Sequence, residues 1–311
     1  MKRILVIGST NIDFTVNVPD FPQEGETVMG EAFKKIPGGK GANQAYACGK
    51  LGGRVTFISA VGNDAFGEMA VANLERAGVN TDFIRVAEED TPTGMAMITI
   101  NRRGNNCIVV IPGANEACGR PMIESLYGEI DRCDILLVQL ETPVDGIAAA
   151  VERAREKGKT VILNPAPVPE GGLPEEIYRN LTYITPNETE LARLTGIPVD
   201  NVEDVWRAGR LLLDRGVEHV VVTLGEKGAA LVNRECRKVF DPIRVTAVDT
   251  TAAGDTFNGA MAVKIGEGCT VEEAIRFAGI ASGISVTRKG AQPSVPDREE
   301  VERFIFADCG R

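Results

Sequence analysis

The chain repeats one arrangement: short, mostly apolar runs set between longer stretches of helical period. The runs are Ile4 to Ile7, Val55 to Val61, Ile135 to Leu140, Thr160 to Leu163, Tyr183 to Thr185 and Val220 to Leu224. Each is bounded by Gly, Pro, Asn or charged residues and is too short for a buried helix, so each reads as a strand covered on both faces. Between them, Val144 to Lys157 and Val202 to Arg215 place apolar residues three and four apart and stop at Gly158 and Gly216. Those are helices ended by glycine. Strand and helix in alternation imply an α/β fold, with a mainly parallel central sheet and helices on both faces. At 311 residues, the chain holds one large domain with an appendage, or two domains.

Two stretches break the alternation. Phe14 to Val18 and Thr27 to Phe33 flank the turn-rich Pro19 to Gly25, and Gly94 to Ile100 and Asn106 to Ile111 flank Asn101 to Asn105, a hairpin signal. Neither stretch carries a helix. The four segments are expected to form a small β-sheet lid, half buried, with one face free to cover a site or meet a second subunit. An antiparallel extension of the main sheet fits the same pattern. On the lid reading, residues 1–13, 34–92 and 112–311 form the α/β domain, and residues 14–33 and 93–111 form the lid and dimerisation region.

Charge and rare residues exclude several chemistries. With 44 acidic and 34 basic side chains, the formal charge is -10, which offers no general attraction to nucleic acid or to an anionic membrane. The single histidine, His219, rules out sites needing two imidazoles from one chain. It stands at the mouth of a very apolar run and reads as a packed residue more readily than as the base of a triad. Cysteines at 48, 107, 118, 133, 236, 269 and 309 are odd in number and form no C-x-x-C. Scattered reduced thiols of a cytoplasmic protein fit them better than a disulfide framework or a thiolate cage. Met1 to Gly8 reads as a first strand rather than a signal peptide, and no apolar run approaches the roughly 18–20 residues of a membrane span.

Several clusters carry chemistry. The first strand runs into Gly8-Ser9-Thr10-Asn11-Ile12-Asp13, where an open α/β sheet presents ligand-binding groups. The glycines of a dinucleotide fingerprint are missing there. Asn11 and Asp13 instead offer an amide and a carboxylate suited to hydroxyl groups, although both are also common turn formers. Pro37-Gly38-Gly39-Lys40-Gly41-Ala42-Asn43-Gln44-Ala45 sets glycines around a lysine at the start of an Ala-rich helix. Lys40 is followed by Gly41, so this is not a P-loop, and a bare glycine turn is the plain alternative. The most informative cluster is Asp249 to Ala260. Its small residues Ala252, Ala253 and Gly254 leave backbone N–H groups uncovered at a helix start, and Asp255 follows in the first turn. An anion hole beside a carboxylate base is what phosphorylation of a hydroxyl requires. An acidic residue that merely complements the helix dipole is the alternative. Thr185 to Glu190 and Thr223 to Gly228 end two strands; they read as a capped helix start and a hairpin turn, or as ligand groups.

Together these segments resemble the ribokinase-like family of carbohydrate kinases. The likeness rests on Asn11-x-Asp13, Gly25-Glu26-Thr27, Gly38 to Ala45, Pro112-Gly113-Ala114-Asn115, Asn164-Pro165-Ala166-Pro167, Thr185 to Glu190, Asp249 to Ala260 and Thr287 to Ser294. They stand in the family's order over nearly the whole chain. The resemblance implies transfer of the γ-phosphoryl group of ATP to the 5-hydroxyl of D-ribose. It makes Asp255 the base and the backbone of Ala252, Ala253 and Gly254 the anion hole. It gives Asn11, Asp13, Gly39, Lys40, Asn43 and Glu141 to the sugar hydroxyls. Asn187 and Glu190 go to phosphate and Mg²⁺, and Thr223, Gly225 and Gly228 to the nucleotide groove. A K⁺ site would use Asp249, carbonyls near Thr251, Ser285, Arg288 and Gly290, and Ser294. A homodimer through the lid is implied too. The sequence departs from relatives at Gly279, where a larger side chain commonly meets the adenine. A related sugar or nucleoside kinase is the nearest alternative, and a sugar-binding regulator without catalysis the one from another class.

Overall fold

The computed structural model describes residues 1–88 and 90–308, so Cys309 lies outside the described residues. Its strands are β1 (Arg3–Ile7), β2 (Asn11–Val18), β3 (Ala32–Gly38), β4 (Arg54–Val61), β5 (Asn80–Val86), β6 (Gly94–Asn101) and β7 (Asn106–Ile111). They continue as β8 (Ile135–Val138), β9 (Thr160–Leu163), β10 (Tyr183–Ile184), β11 (His219–Thr223), β12 (Ala229–Asn233) and β13 (Arg237–Phe240). The helices are α1 (Lys40–Lys50), α2 (Ala65–Arg76), α3 (Arg120–Ser125), α4 (Tyr127–Arg132), α5 (Val144–Glu156) and α6 (Glu175–Arg179). After these come α7 (Glu188–Thr195), α8 (Val202–Asp214), α9 (Ala253–Gly266), α10 (Val271–Ser285) and α11 (Arg298–Asp308).

The main sheet has nine strands in the order β13-β12-β11-β10-β9-β8-β1-β4-β5. It is parallel from β5 to β11, and the β12–β13 hairpin adds an antiparallel edge. Its central strands are apolar because both faces are covered. Successive residues of β1 enter opposite cores, with Leu5 and Ile7 packing under α3 to α8 and Ile4 and Val6 under α1, α2, α9, α10 and α11. Each such side chain contributes about 1.5–3 kcal/mol when fully buried. No described helix is long and apolar enough to cross a membrane.

The remaining strands form a separate sheet of order β3-β2-β6-β7, so the four segments are not an extension of the main sheet's edge. Its two outer pairs are antiparallel and its central pair, β2 with β6, is parallel. One expectation needs correcting. The partner of β2 is not Thr27 to Phe33 but Ala32–Gly38, paired from Asn11↔Gly38 to Asn17↔Ala32. Pro37 is tolerated because β3 is an edge strand, where a missing N–H breaks no ladder.

Candidate functional site

Strand order reverses about β1, whose neighbours β4 and β8 lead to opposite sides, and the carboxyl end beside such a reversal is where open α/β sheets bind ligands. The segment following β1 delivers Ser9 and Asn11 there, the segment following β8 delivers Gln139 and Glu141, and Asn164 follows β9. Helices α1 and α9 begin against this end and bring Lys40, Asn43, Gln44 and Asp255.

Close packing at the start of α1 makes this possible. Gly39, its N-cap, has φ +84°, and a Cβ there would lie 2.7 Å from the Asn11 nitrogen. At Gly41 a Cβ would lie 2.5 Å from the Gly8 carbonyl carbon, and the next amide, Ala42 N–H, donates to the Ser9 carbonyl at 2.8 Å. Glu141 ties the two segments together, accepting from the Ser9 hydroxyl at 2.6 Å and from the Lys40 N–H at 2.9 Å. Asn11 is fixed by Asn115, whose Nδ2 donates to its Oδ1 at 2.8 Å.

Asp255 is the buried centre, 6% exposed in the first turn of α9. Asn43 Nδ2 donates to its Oδ2 at 3.0 Å, and Gln44 Nε2 to its Oδ1 at 3.0 Å. The electrostatics around it are strongly coupled. Burial, and then the Glu141 and Asp255 carboxylates, push the Asp13 carboxyl up to about 7 against the pull of Lys40. Burial alone would lower the Lys40 ammonium, but Asp255, Glu141, Glu190 and Asp13 together carry it above the ordinary lysine value. Glu190 is raised by burial and by Asp255, with the Asn187 N–H and Lys40 opposing. One cation thus serves the carboxylates of both the sugar-side and the nucleotide-side candidates.

Ahead of α9, Ala252 is held in the left-handed region at φ 59°. The Ala253 N–H bonds the Thr250 carbonyl at 3.2 Å, and the Ser282 hydroxyl of α10 donates to the Ala253 carbonyl at 2.9 Å. A Cβ on Gly254 would meet nothing within 4 Å, so the helix start opens onto free space. Of the three N–H groups expected to lie uncovered, that of Ala253 is thus already engaged within the chain.

Across the sheet, Asn187 and Glu190 form a capping box on α7: Asn187 Oδ1 accepts from the Glu190 N–H at 2.8 Å, and the Asn187 N–H donates to Glu190 Oε2 at 2.9 Å. The capped-start reading therefore holds, and the same carboxylate still faces Lys40. Thr223 is bridged to Asn187, while Gly225 and Gly228 turn the chain into β12 with φ +57° and +92°. Gly279 lies on α10, where a Cβ would meet nothing within 4 Å.

Asp249 joins two loops. Its Oδ1 accepts from the Thr251 hydroxyl at 2.6 Å and N–H at 3.0 Å, and its Oδ2 from the Gly290 N–H at 2.8 Å. Burial would raise this carboxyl, but those donors hold it below its ordinary value. The Ser285 and Ser294 hydroxyls donate to the Ser282 and Ala291 carbonyls, both at 2.7 Å, and Arg288 pairs with Glu300. Among the described residues no group of three or more His, Cys, Asp and Glu could hold a metal ion. His219 opens β11, stacks on Tyr183 at 4.8 Å and is lowered by burial, far from this chemistry in role.

Sequence reasoning passed over the buried amides behind Asp255. Gln44, Gln139, Asn164, Asn258 and Gln292 are all at most 7% exposed. Gln44 also donates to Asn164 Oδ1 at 3.1 Å, Asn164 to the Thr185 carbonyl at 3.0 Å, Thr185 to Asn258 Oδ1 at 2.6 Å, and Asn258 to the Gly254 carbonyl at 2.8 Å. An amide among the alanines of α1 was the available signal.

The chain is similar to known proteins over its whole length. A family described as pfkB family carbohydrate kinase matches residues 1–298. The ribokinase of Haemophilus influenzae is 40% identical over 304 residues, 98% of each chain. The deoxyribokinase of Salmonella typhimurium is 37% identical, covering 97% of this chain and 98% of its own. Among solved structures, ribokinase from Thermotoga maritima superposes with TM-score 0.90 at 41% identity, covering 98% of this chain and 100% of that one. Arabidopsis thaliana ribokinase complexed with ribose and ATP gives 0.91 at 35% identity and 98% of each chain. A buried carboxylate at an open helix start, on this fold and with these full-length relatives, has one assignment: the chain belongs to the pfkB family of carbohydrate kinases.

Proposed function

We propose that the chain transfers the γ-phosphoryl group of ATP to the 5-hydroxyl of D-ribose, giving D-ribose 5-phosphate. The observation that carries this reading is the buried Asp255 carboxylate, held by two amides in the first turn of an α9 start that opens onto free space. Asp255 takes the hydroxyl proton as the oxygen attacks, and the N–H groups at Ala252 to Gly254, that of Ala253 shared with the Thr250 carbonyl, receive the charge spreading over the phosphoryl oxygens. Asn11, Asp13, Gly39, Lys40, Asn43 and Glu141 hold the sugar. Thr223, Gly225 and Gly228 line the nucleotide groove.

Mg²⁺ bound with ATP neutralises phosphate charge. Asn187 and Glu190 are the residues that would orient it, through water. Hard oxygen donors at Asp249, Thr251, Ser285, Arg288, Gly290 and Ser294 suit a monovalent cation such as K⁺. The sheet of β3, β2, β6 and β7 acts as the lid and as the contact of a homodimer. The scattered cysteines and the use of ATP fit the cytoplasm.

The deoxyribokinase relative supports a second reading, with 2-deoxyribose as acceptor. An ADP-release assay over ribose, 2-deoxyribose, fructose and adenosine, each in K⁺ and in Na⁺, separates them. The expected result is the highest kcat/KM with ribose and faster turnover in K⁺. A preference for 2-deoxyribose transfers the chain to the second reading, and indifference to K⁺ removes the cation site.

A further inference from the structure

Two chains of side-chain amides end on the two oxygens of Asp255. In one, Gln139 Nε2 donates to Gln44 Oε1 at 2.7 Å and Gln44 Nε2 to Asp255 Oδ1 at 3.0 Å. In the other, Asn73 donates to Gln292 Oε1, Gln292 Nε2 to Asn43 Oδ1 at 3.1 Å, and Asn43 Nδ2 to Asp255 Oδ2 at 3.0 Å. Every link is oriented the same way, with its nitrogen toward the carboxylate.

That common sense follows from the chemistry. An amide has its donor at one end and its acceptor at the other, and an ionised carboxylate only accepts. Asp255 therefore draws the nitrogens of Asn43 and Gln44 toward itself, and their oxygens in turn draw the nitrogens of Gln292 and Gln139. The constraint is visible at the far end of the first chain. Gln139 Oε1 is buried without a partner, yet turning that amide over would set oxygen against oxygen at Gln44. Asn73 is only half-buried, so the second chain runs from the partly exposed flank of α2 to the base.

We propose that Gln44 and Gln292 are positioning residues: through two amide chains of fixed polarity they hold the Asp255 carboxylate at the angle from which it meets the sugar hydroxyl. The proposal rests on Asp255 being the base. Neither glutamine needs to touch the sugar; each acts on turnover through its neighbour.

Polarity gives a test that a packing role would not pass. Gln292→Leu removes the link but leaves Asn43 free to keep its nitrogen on Asp255. Gln292→Glu is nearly isosteric, but once ionised it accepts from Asn43, turning that amide over so that oxygen faces Asp255. At a pH of about 8.5, kcat should fall several-fold in Gln292→Leu and roughly ten- to hundredfold in Gln292→Glu, as expected for losing a hydrogen bond to a charged group. Because an ionised carboxylate at this buried position also costs stability, kcat is compared per folded molecule, and a purely structural role then predicts equal values for the two variants. Gln44→Leu should lower kcat with little change in the KM for ribose. Should the buried variants fail to fold, Asn73→Asp at the half-buried end decides: a lowered kcat at an unchanged thermal midpoint supports the proposal, and an unchanged kcat overturns it. Asp255→Asn is the reference. If it stays active, the base reading fails; if it is inactive while Gln292→Glu matches Gln292→Leu, the positioning role alone is overturned.

Discussion

Asp13 and Asp255 are carboxylates at one site in different surroundings. Asp255, bound by two amides, is the proposed base. Replacing it with Asn should lower kcat by roughly two to four orders of magnitude, the usual worth of a general base, while ribose still binds by calorimetry. Asp13 is lifted from 3.8 to about 7 by burial and by its acidic neighbours. Between those values the folded chain holds a proton that the unfolded chain has released, so the stabilisation is complete below about pH 4 and is lost as pH rises through about 7. In the proposed site the sugar hydroxyls would donate to the ionised form, so affinity runs the other way and the KM for ribose should fall over the same rise. Thermal midpoints of the native protein and Asp13→Asn, followed from about pH 4 to pH 8, should diverge across this window, and superimposable curves would refute the raised value.

At the scale of elements, the join between β1 and α1 carries the most consequence. Alanine at Gly41 would put its Cβ 2.5 Å from a backbone carbon of Gly8, which cannot rotate away as a side chain would. Overpacking of this kind costs roughly 1–3 kcal/mol and moves the helix. Because α1 brings Asn43 and Gln44 to Asp255, Gly41→Ala should lower both the melting temperature and kcat, the latter at least tenfold. A variant that melts early but turns over normally would show that α1 does not set the base. These same elements explain what was legible in the sequence. β1, β4 and β8 to β11 announce themselves because burial on both faces demands apolar runs, and the Gly-rich and Asp249 to Ala260 clusters mark helix starts. β3 was misplaced because Lys34, Lys35 and Pro37 deny it the look of a strand, and only its position at a sheet edge permits them. The amide chains stayed hidden since their links join residues 211, 212 and 249 apart, distances that no local pattern records.

For the whole molecule, the decisive contrast lies between the two edges of the smaller sheet. β3 carries Lys34, Lys35 and Pro37, the charges and proline that keep an edge from recruiting another strand. β7, Asn-Cys-Ile-Val-Val-Ile, has neither charge nor proline, and all its residues are exposed, with Ile108, Val109 and Val110 each more than half so. An uncharged, apolar, unpaired edge invites association, and in the proposed homodimer the lid of a second copy covers it. Since Val109 makes little contact within its own chain, Val109→Lys should leave the fold and its melting temperature nearly unchanged while placing a charge in the contact. Sedimentation equilibrium should find the native protein dimeric at micromolar concentration and the variant monomeric. The KM for ribose should rise in the monomer, because a lid without its partner is less firmly held over the sugar, whereas kcat should change less because Asp255 is built by the main domain. A native protein that sediments as a monomer throughout that range would remove the dimer, and a monomeric variant with an unaltered KM would separate association from the lid's part in binding.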